Sequence, residues 1–351
     1  MAERVLTTDE LNRAVLARQL LLERSALPPE RAVEQVGGLQ TQYSPSGYIG
    51  LWSRVTGFRR ELLTDALTSG TVVQGWAMRC TIHMLSASDY WPLIAAVRAP
   101  RRVWWVRAHG GSGIDMGKVA DAVRGYLADG PLKQAEIQRL LAADGFPREV
   151  WSGVQLWLEL VRVPPAGTWG TPRAHVYGLA EHTVPLPASL PSVEEGEELL
   201  VRRYLEGFGP ASAKDISSFC GWTVTGARRV LERLEPRRFR DESGGELFDL
   251  PGAPLPPADA PAPVRFLGQW EAVLLVHARR TQILPEEYRP LVFGKTMPQS
   301  VPTFLVDGRV AGTWRYVEGS VRCEPFQVLP RAVLDELHDE GERLTEFYAG
   351  G

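Results

Sequence analysis

The chain has 351 residues, which suits two or three domains with separate hydrophobic cores and excludes a single small module. Hydrophobic residues make up 44% of it and charged residues 23%, a balance that excludes wholesale disorder. The 39 Lys and Arg against 42 Asp and Glu give a net charge of −3, so the chain as a whole lacks the strong positive charge common in nucleic-acid-binding proteins.

The cysteines and the N-terminus indicate a reducing compartment. Cys80, Cys220 and Cys323 are more than a hundred residues apart, which is neither a zinc-ligand spacing nor an even disulfide framework. The first residues lack a signal-peptide profile, and no apolar run approaches the roughly 18 residues that span a bilayer. We therefore expect a cytoplasmic protein that has no membrane partner and binds no metal.

The first 95 residues are predicted to form helices followed by a strand pair. Apolar spacing indicates a helix over 11–24, and Pro29 can open a second helix that ends at Gly37-Gly38. Ser46 can cap a third helix, and a fourth is expected over 60–67. Two strands follow, around 72–73 and over 78–85. This order predicts a first winged-helix unit over residues 1–95.

The same order recurs after Gly130-Pro131. Apolar stripes predict a pair of helices over 132–141 and 151–160. Short apolar segments around a glycine-containing loop then predict a hairpin over 161–177. We therefore predict a second winged-helix unit over residues 96–187.

A third copy of the pattern follows Gly209-Pro210. Helices are expected over 211–220 and 223–234, and a hairpin over 239–248. Proline cannot continue a helix or a central strand, so the proline-rich stretch over 251–263 marks the end of this unit. We predict a third winged-helix unit over residues 188–260.

The remainder, residues 264–351, is predicted to be mostly β-strand. The strands are expected over 272–276, 301–306, 309–314 and 321–328. Asp307-Gly308, between two apolar runs, is a strong hairpin signal. A terminal helix is expected over 331–348. The predicted fold class is therefore α+β, with tandem winged helix-turn-helix domains and a C-terminal β-rich, barrel-like domain.

The sequence lacks the usual signatures of cofactor chemistry. It has no glycine-rich phosphate loop, no His-Glu-x-x-His and no paired cysteines, and its histidines lack metal-ligand spacing. Carboxylates cluster over 194–198 and 335–346, a pattern typical of solvated helix faces. We expect no cofactor.

The most informative segment contains Gln40 and Gln42. It lies between Gly37-Gly38, which can end a helix, and Ser44-Pro45, which precedes the next one. In an extended segment residues i and i+2 face the same side, so the two carboxamides would point together. The alternative is a polar loop whose glutamine side chains bond only to backbone.

Four motifs in order resemble the signature of the AlkZ/YcaQ-like winged-helix DNA glycosylases. They are Leu39-Gln40-Thr41-Gln42, Leu51-Trp52-Ser53-Arg54, Arg79-Cys80-Thr81-Ile82-His83-Met84 and Val306-Asp307-Gly308-Arg309-Val310-Ala311-Gly312-Thr313-Trp314-Arg315. The resemblance covers nearly the whole chain. Its Gln-x-Gln form is similar to the AlkZ branch, which is linked to resistance against DNA-alkylating antibiotics, whereas the YcaQ branch has Asp at the position of Gln42.

The resemblance implies a C-shaped arrangement of winged helices around a DNA channel, with Gln40 and Gln42 as the catalytic pair. It implies a glycosylase that excises bases from duplex DNA at the nucleoid. Three departures bear on which lesion is preferred. Thr41 replaces an apolar residue, Tyr43 stands where Asp is common, and Gln269-Trp270-Glu271 stands where many relatives have Phe-Asp-Asn.

The chemistry of glutamine restricts the mechanism. A carboxamide does not titrate in the useful range, so the pair cannot act as a general acid and base. The substrate must therefore be activated already, as a purine made cationic by N7 alkylation is. Our hypothesis is that Gln42 positions the water and Gln40 supports the sugar cation. No lysine adjoins the pair to form a Schiff base, so we expect a monofunctional enzyme.

Contacts to DNA are expected from local clusters of positive charge. The candidate residues are Arg101, Arg102 and Trp104 in the basic stretch over 98–107, Arg228 and Arg229 in the third recognition helix, and Arg54, Arg79 and His83 in the motifs.

Alternatives remain open for several of these residues. Arg228 and Arg229 can instead form ion pairs with Glu232 and Glu235 on their own helix. Arg79 and His83 can instead anchor a wing by hydrogen bonds.

Trp52 and Trp314 are expected in the core. A non-catalytic winged-helix regulator and a drug-sequestering protein are the rival functions, and we expect a monomer.

Overall fold

The computed structural model describes residues 4–109, 113–294 and 299–350. Its helices are α1 Thr8–Arg18, α2 Pro29–Gln35, α3 Pro45–Arg54, α4 Arg60–Thr68, α5 Ala87–His109, α6 Met116–Tyr126, α7 Gln134–Ala143, α8 Trp151–Val154, α9 Val193–Phe208, α10 Ala213–Cys220, α11 Val224–Leu234, α12 Arg289–Val292 and α13 Arg331–Ala349. Its strands are β1 Val5–Leu6, β2 Leu39–Gln40, β3 Val72–Trp76, β4 Ile82–Ser86, β5 Leu132–Lys133, β6 Leu160–Arg162, β7 Val176–Leu179, β8 Arg237–Asp241, β9 Glu246–Asp249, β10 Arg265–Leu267, β11 Thr303–Val306, β12 Arg309–Val317 and β13 Ser320–Pro325. This mixture of helices and mainly antiparallel sheets confirms the predicted α+β class.

Two of the predicted hairpins merge into one sheet. The strand order is β2-β4-β3-β6-β7-β5, and every pair in it is antiparallel. The junction is the pairing of β3 with β6, in which Gly75 lies opposite Val161. The strands that follow the first group of helices are therefore hydrogen-bonded to those that follow the second.

The helix pair α10 and α11 forms as predicted. Ser212 caps α10 with a reciprocal capping box, Gly221 ends it in the left-handed conformation, and Thr223 caps α11. The hairpin of β8 and β9 follows, and β1 at the N-terminus joins it by pairing in parallel with β8.

The C-terminal sheet is open, which corrects the barrel-like prediction. Its strand order is β10-β11-β12-β13, and in the described part of the chain its two edge strands do not pair with each other. The strand predicted over 272–276 is wrong, because those residues form short 3-10 turns, Ala272–Leu274 and Val276–Ala278. The Asp307-Gly308 hairpin is confirmed, since both residues have positive φ, 46° and 74°.

Other predicted boundaries shift for local reasons. The helix expected over 11–24 ends at Arg18, and Leu20 beyond it has a left-handed φ of 56°. In the described structure Ser46 caps no helix, since Pro45 already opens α3 and the Ser46 hydroxyl lies inside the helix without a partner there.

The helix expected over 151–160 is wrong beyond Val154. Leu156, Leu158 and Leu160 are all buried and alternate with a period of two, and Leu160 begins β6. The predictions also omit α5, a long helix that contains Pro92 and Pro100.

Three large hydrophobic cores organise the chain. The first packs α5, α9, α10 and α11 together, and the third lies within residues 105–179. The second joins α2 and α3 to the C-terminal sheet and α13, through side chains such as Leu51, Phe266, Phe304 and Phe347. The N-terminal helices and the C-terminal sheet are therefore stabilised by one shared core.

A buried ion pair ties the N-terminal helix to the third hairpin. Arg18 contacts Asp249 through both guanidinium nitrogens, at 2.6 and 2.9 Å, and neither side chain is exposed. Arg18 also donates to the carbonyls of Leu205 and Pro254, so its charge and both of its terminal nitrogens are satisfied, while its Nε atom has no partner among the described residues. Among the residues described, no helix is long and apolar enough to cross a membrane.

Candidate active site

Gln40 lies in a two-residue strand whose register sets the direction of its side chain. In the antiparallel pairing of β2 with β4, Gln40 is directly opposite His83, so the two side chains share one face of the sheet. Leu39 and Thr41 face the other way, toward the core that contains α3. The prediction of an extended segment is confirmed here, because Thr41 continues the ladder by donating to the carbonyl of Ile82 at 2.8 Å.

Two glycines before β2 make the short connection from α2 to β2 possible. Gly37 and Gly38 have φ values of 76° and 86°, a left-handed conformation that favours glycine. A side chain at Gly38 would also be in tight contact with Leu85 of β4, with its Cβ atom 3.0 Å from the Leu85 side chain. The chain can therefore leave α2 at Gln35 and pair with β4 from Leu39, after only three residues.

Gln42 lies just beyond the strand, where the chain bends toward α3. Its side chain is partly buried, and its Oε1 atom is buried without a hydrogen-bond partner in the described part of the chain. Gln40 has one partner there, Arg79, and neither glutamine side chain bonds to backbone. The alternative of a loop whose glutamines bond only to backbone is therefore not what the structure contains.

Arg79 folds back from a hairpin tip to reach Gln40. It lies in the turn Met78–Cys80 between β3 and β4, and both Arg79 and Cys80 adopt a left-handed φ of 57°, which costs roughly 1–2 kcal/mol per residue. Its Nη2 atom donates to Oε1 of Gln40 at 2.8 Å and lies 3.4 Å from Nε2 of His83.

The guanidinium of Arg79 is buried without a counter-ion. It lies over the ring of Phe219, 5.4 Å from the ring centroid, and its Nη1 atom is buried with no partner among the residues that the structure describes. Within the described residues no carboxylate forms an ion pair with it. Burial, reinforced by the charge of Arg101, lowers the pKa of Arg79 to about 10.

His83 is neutral and has a defined tautomer. Its Nδ1 atom lies 2.9 Å from the carbonyl oxygen of Thr81, which can only accept, so Nδ1 carries the hydrogen. Its Nε2 atom is therefore an acceptor for Arg79. Burial, and then the charge of Arg79, lower the pKa of His83 to about 3.

His277 is a second buried histidine near these residues, and sequence reasoning gave it no role. Its ring packs on Phe208 and Phe219, with ring centroids 5.0 Å away in each case, and neither ring nitrogen has a partner in the described structure. Burial, followed by the charges of Arg79 and His83, holds the pKa of His277 well below its usual value.

Arg54, predicted to contact DNA, is fully buried in an ion pair. Its Nη2 and Nη1 atoms donate to the two carboxylate oxygens of Glu271 at 2.8 and 3.2 Å. It also donates to Gln19 and to the carbonyl of Gly50. The side chain therefore has no exposed surface for a phosphate, and it links α3 to the segment after β10.

Arg79 and His83, also predicted to contact DNA, lie at the β3–β4 hairpin described above, and the other predicted DNA-binding residues lie on α5 and α11. Trp104 is 53% exposed, Arg102 donates to the carbonyl of Leu156 at 2.6 Å, and Arg101 lies against Gly221. Arg228 and Arg229 are exposed but paired.

Ion pairs and core packing account for the remaining candidates. Arg228 contacts Glu246 and Arg229 contacts Glu197, instead of Glu232 and Glu235 on their own helix. The core positions predicted for Trp52 and Trp314 are confirmed. In the ranges that the structure covers, no group of His, Cys, Asp and Glu could hold a metal ion.

Comparison with known proteins gives a consistent result. A family model described as DNA glycosylase AlkZ-like matches residues 33–347. A curated protein of Streptomyces sahachiroi named Interstrand DNA cross-link repair glycosylase is 24% identical over 94% of this chain and 93% of its own length. The solved structure of Streptomyces sahachiroi DNA glycosylase AlkZ shares the fold, with a TM-score of 0.80 and 20% sequence identity over 97% of each chain.

The ion pair of Arg54 yields a stability prediction. Arg54→Met leaves Glu271 buried without its partner, so we expect the free energy of unfolding to fall by about 3–5 kcal/mol. In the double variant Arg54→Met/Glu271→Leu most of that loss should be recovered. Urea unfolding followed by circular dichroism measures both. A single variant of normal stability but weakened DNA binding would instead make Arg54 a phosphate contact.

The buried neutral histidines predict a loss of stability in acid. His83 and His277 bind a proton more readily in the unfolded chain, where the pKa of a histidine is near 6.5, than in the folded protein. The free energy of unfolding should therefore fall as the pH drops below 6.5. By about pH 5 each histidine should account for up to about 2 kcal/mol.

A histidine variant isolates this effect from that of the carboxylates. His277→Phe should flatten the fall in unfolding free energy between about pH 7 and about pH 5, whereas His338→Gln, at an exposed position, should leave it unchanged. Equal slopes in the wild-type protein and His277→Phe would contradict the assignment.

Proposed function

The chain belongs to the AlkZ-like DNA glycosylase family, and from that premise we propose that it hydrolyses the N-glycosidic bond of cationic N7-alkylated purines in duplex DNA. The observation that carries the proposal is the pair of uncharged carboxamides at the site. In the described structure neither Gln40 nor Gln42 is hydrogen-bonded to a carboxylate, and a carboxamide does not titrate in the useful range, so the pair itself cannot act as a general acid or base. Such a site suits a substrate that brings its own positive charge.

The proposed reaction balances without an enzymatic acid. The C1′–N9 bond breaks and its electron pair moves onto the alkylated purine, which leaves as a neutral base. Water attacks C1′, one of its protons passes to solvent, and the sugar gains a hydroxyl group. Gln42, whose Oε1 atom is unpartnered in the described structure, is placed by this proposal beside the water and the developing sugar cation.

The proposed enzyme is monofunctional. A lyase step would need an amine to form a Schiff base, and neither glutamine is hydrogen-bonded to a lysine among residues 4–109, 113–294 and 299–350. Water is therefore the nucleophile in this proposal.

We propose that the fold holds DNA as tandem winged helices in a C-shaped arrangement. The units would be residues 1–95, 96–187 and 188–260, with 264–351 as the β-rich end. Support comes from the repeated order of helices followed by a hairpin. In this arrangement the DNA contacts would come from Arg101, Arg102, Trp104, Arg228 and Arg229, and the protein would act as a monomer.

We extend the proposal to bulky adducts and to self-resistance against a DNA-alkylating natural product. The Streptomyces sahachiroi relative is named for interstrand cross-link repair, and unhooking a cross-link requires tolerance of a large substituent. Turning a bulky base into a closed pocket is obstructed, and flipping also costs a few kcal/mol. In an open channel the base need not turn into a pocket, so neither the obstruction nor the cost of flipping arises.

Substitution of either glutamine should slow base release. For Gln40→Ala and Gln42→Ala we expect a fall of about 100-fold in the single-turnover rate on duplex DNA with an N7-alkylguanine, because each removes an oriented group at the reacting centre. Gln42→Asp should keep part of the activity, since a carboxylate also binds water and attracts the cation. Gln327→Ala, at an exposed position, is the control.

The same assay separates the rival functions. A non-catalytic regulator or a drug-sequestering protein would release no base from the wild-type reaction. Folded glutamine variants that release base at the wild-type rate would refute the proposed roles of the pair.

The size of the adduct provides a second test. We expect release of a bulky N7 adduct within about tenfold of the rate for N7-methylguanine, because the reacting bond is approached without enclosing the base. Parallel duplexes of one sequence, each with one of the two lesions, provide the comparison. Efficient release of the methylated base alone would contradict the open-channel proposal.

A further inference from the structure

The contact between Arg79 and Gln40 determines which end of the carboxamide is free. An arginine side chain only donates hydrogen bonds, so the Gln40 atom 2.8 Å from Nη2 is the oxygen. The amide nitrogen of Gln40 then faces away from Arg79, and it has no hydrogen-bond partner in the described structure. Gln40 therefore presents N–H groups to a substrate.

The positive charge of Arg79 next to Gln40 also favours a donor role for Gln40. Arg79 lacks a counter-ion among the described residues, and it lies behind the Gln40 oxygen. A positive charge there opposes the approach of a sugar cation to Gln40 and polarises the amide, which strengthens its N–H donors. The oxygen of Gln42, which contacts no cation among those residues, is the better partner for the sugar cation.

Arg79 has a strained backbone conformation, and its guanidinium is held in place by several contacts. Its backbone adopts the left-handed conformation, its guanidinium stacks on Phe219, and its Nη2 atom serves two acceptors with two hydrogens. The second acceptor is Nε2 of His83, and the Thr81 carbonyl fixes the His83 tautomer. A strained conformation that is maintained by so many contacts indicates a functional constraint.

We propose that Arg79, supported by His83, is a positioning residue that makes Gln40 a hydrogen-bond donor and leaves Gln42 as the acceptor of the pair. This inference rests on the proposed glycosylase function and revises the role of Gln40. Its N–H groups would donate to a ring nitrogen of the departing purine, which gains electron density as the C1′–N9 bond breaks. The oxygen of Gln42 would orient the water and face C1′.

An isosteric substitution at each glutamine tests the assignment of donor and acceptor. Gln40→Glu keeps an oxygen for Arg79 but has no N–H, so its single-turnover rate should fall about as far as that of Gln40→Ala, about 100-fold. Gln42→Glu keeps the accepting oxygen and should stay within about tenfold of wild type. Gln40→Glu activity near that of wild type, or a greater loss in Gln42→Glu than in Gln40→Glu, would overturn the proposal.

Substitution of Arg79 tests its positioning role against a direct contact with DNA. For Arg79→Met we expect a single-turnover rate reduced about 10- to 100-fold with a DNA Kd within about twofold of wild type, and partial rescue in Arg79→Lys. The control Arg202→Met removes an exposed charge on α9 and should change neither quantity. Thermal unfolding of each variant verifies that it is folded.

The outcomes separate this inference from the proposed function. If Arg79→Met mainly weakens DNA binding and lowers the salt dependence of log K by about one, Arg79 is a phosphate contact and the inference fails. If Arg79→Met does not fold, the single-turnover rates of Gln40→Glu and Gln42→Glu decide whether the inference holds. A wild-type protein that releases no base refutes the proposed function. If the wild type is active and the Arg79 and glutamine variants release base at the same rate, only the inference is refuted.

Discussion

The pairing of β2 with β4 is the constraint on which the rest of the site depends. It places Gln40 opposite His83, and the turn after β3 brings Arg79 beneath both. A slip of one residue in this register would turn Gln40 into the apolar core and bring Leu39 or Thr41 to its place, because side chains alternate along a strand. The two left-handed glycines before β2 allow this register directly after α2.

Two buried arginines of the interior are each paired with a carboxylate, whereas Arg79 at the site is not. Arg18 and Arg54 are each buried against a carboxylate, with Asp249 and Glu271. Arg79 is only partly exposed and its Nη1 atom is buried, yet its contacts among the described residues are the neutral side chains of Gln40, His83 and Phe219. A buried arginine without a counter-ion is costly, and a neutral carboxamide becomes polarised beside it. The small net charge of −3 conceals this local excess of positive charge.

The predictions from sequence succeeded where structure is set by near neighbours. The order of helix, turn and helix over α10 and α11, the hairpin at Asp307-Gly308 and the extended backbone at Gln40 all follow from capping residues, glycines and short-range periodicity. They failed over 151–160 and 272–276, where apolar spacing fits more than one kind of element. Packing selected an extended segment that leads into β6 in the first range and two short 3-10 turns in the second.

The sequence by itself determined the family resemblance and the hypothesis about the chemistry: two uncharged glutamines separated by one residue, in an ordered set of motifs, without a metal or phosphate signature. Only the tertiary structure decided which side chains surround those residues. Arg54 finds its partner 217 residues away, and Arg79 turns inward to a glutamine 39 residues before it. Local periodicity carries no information about such pairings, because they depend on which distant segments pack together and on where burial leaves a charge without a partner.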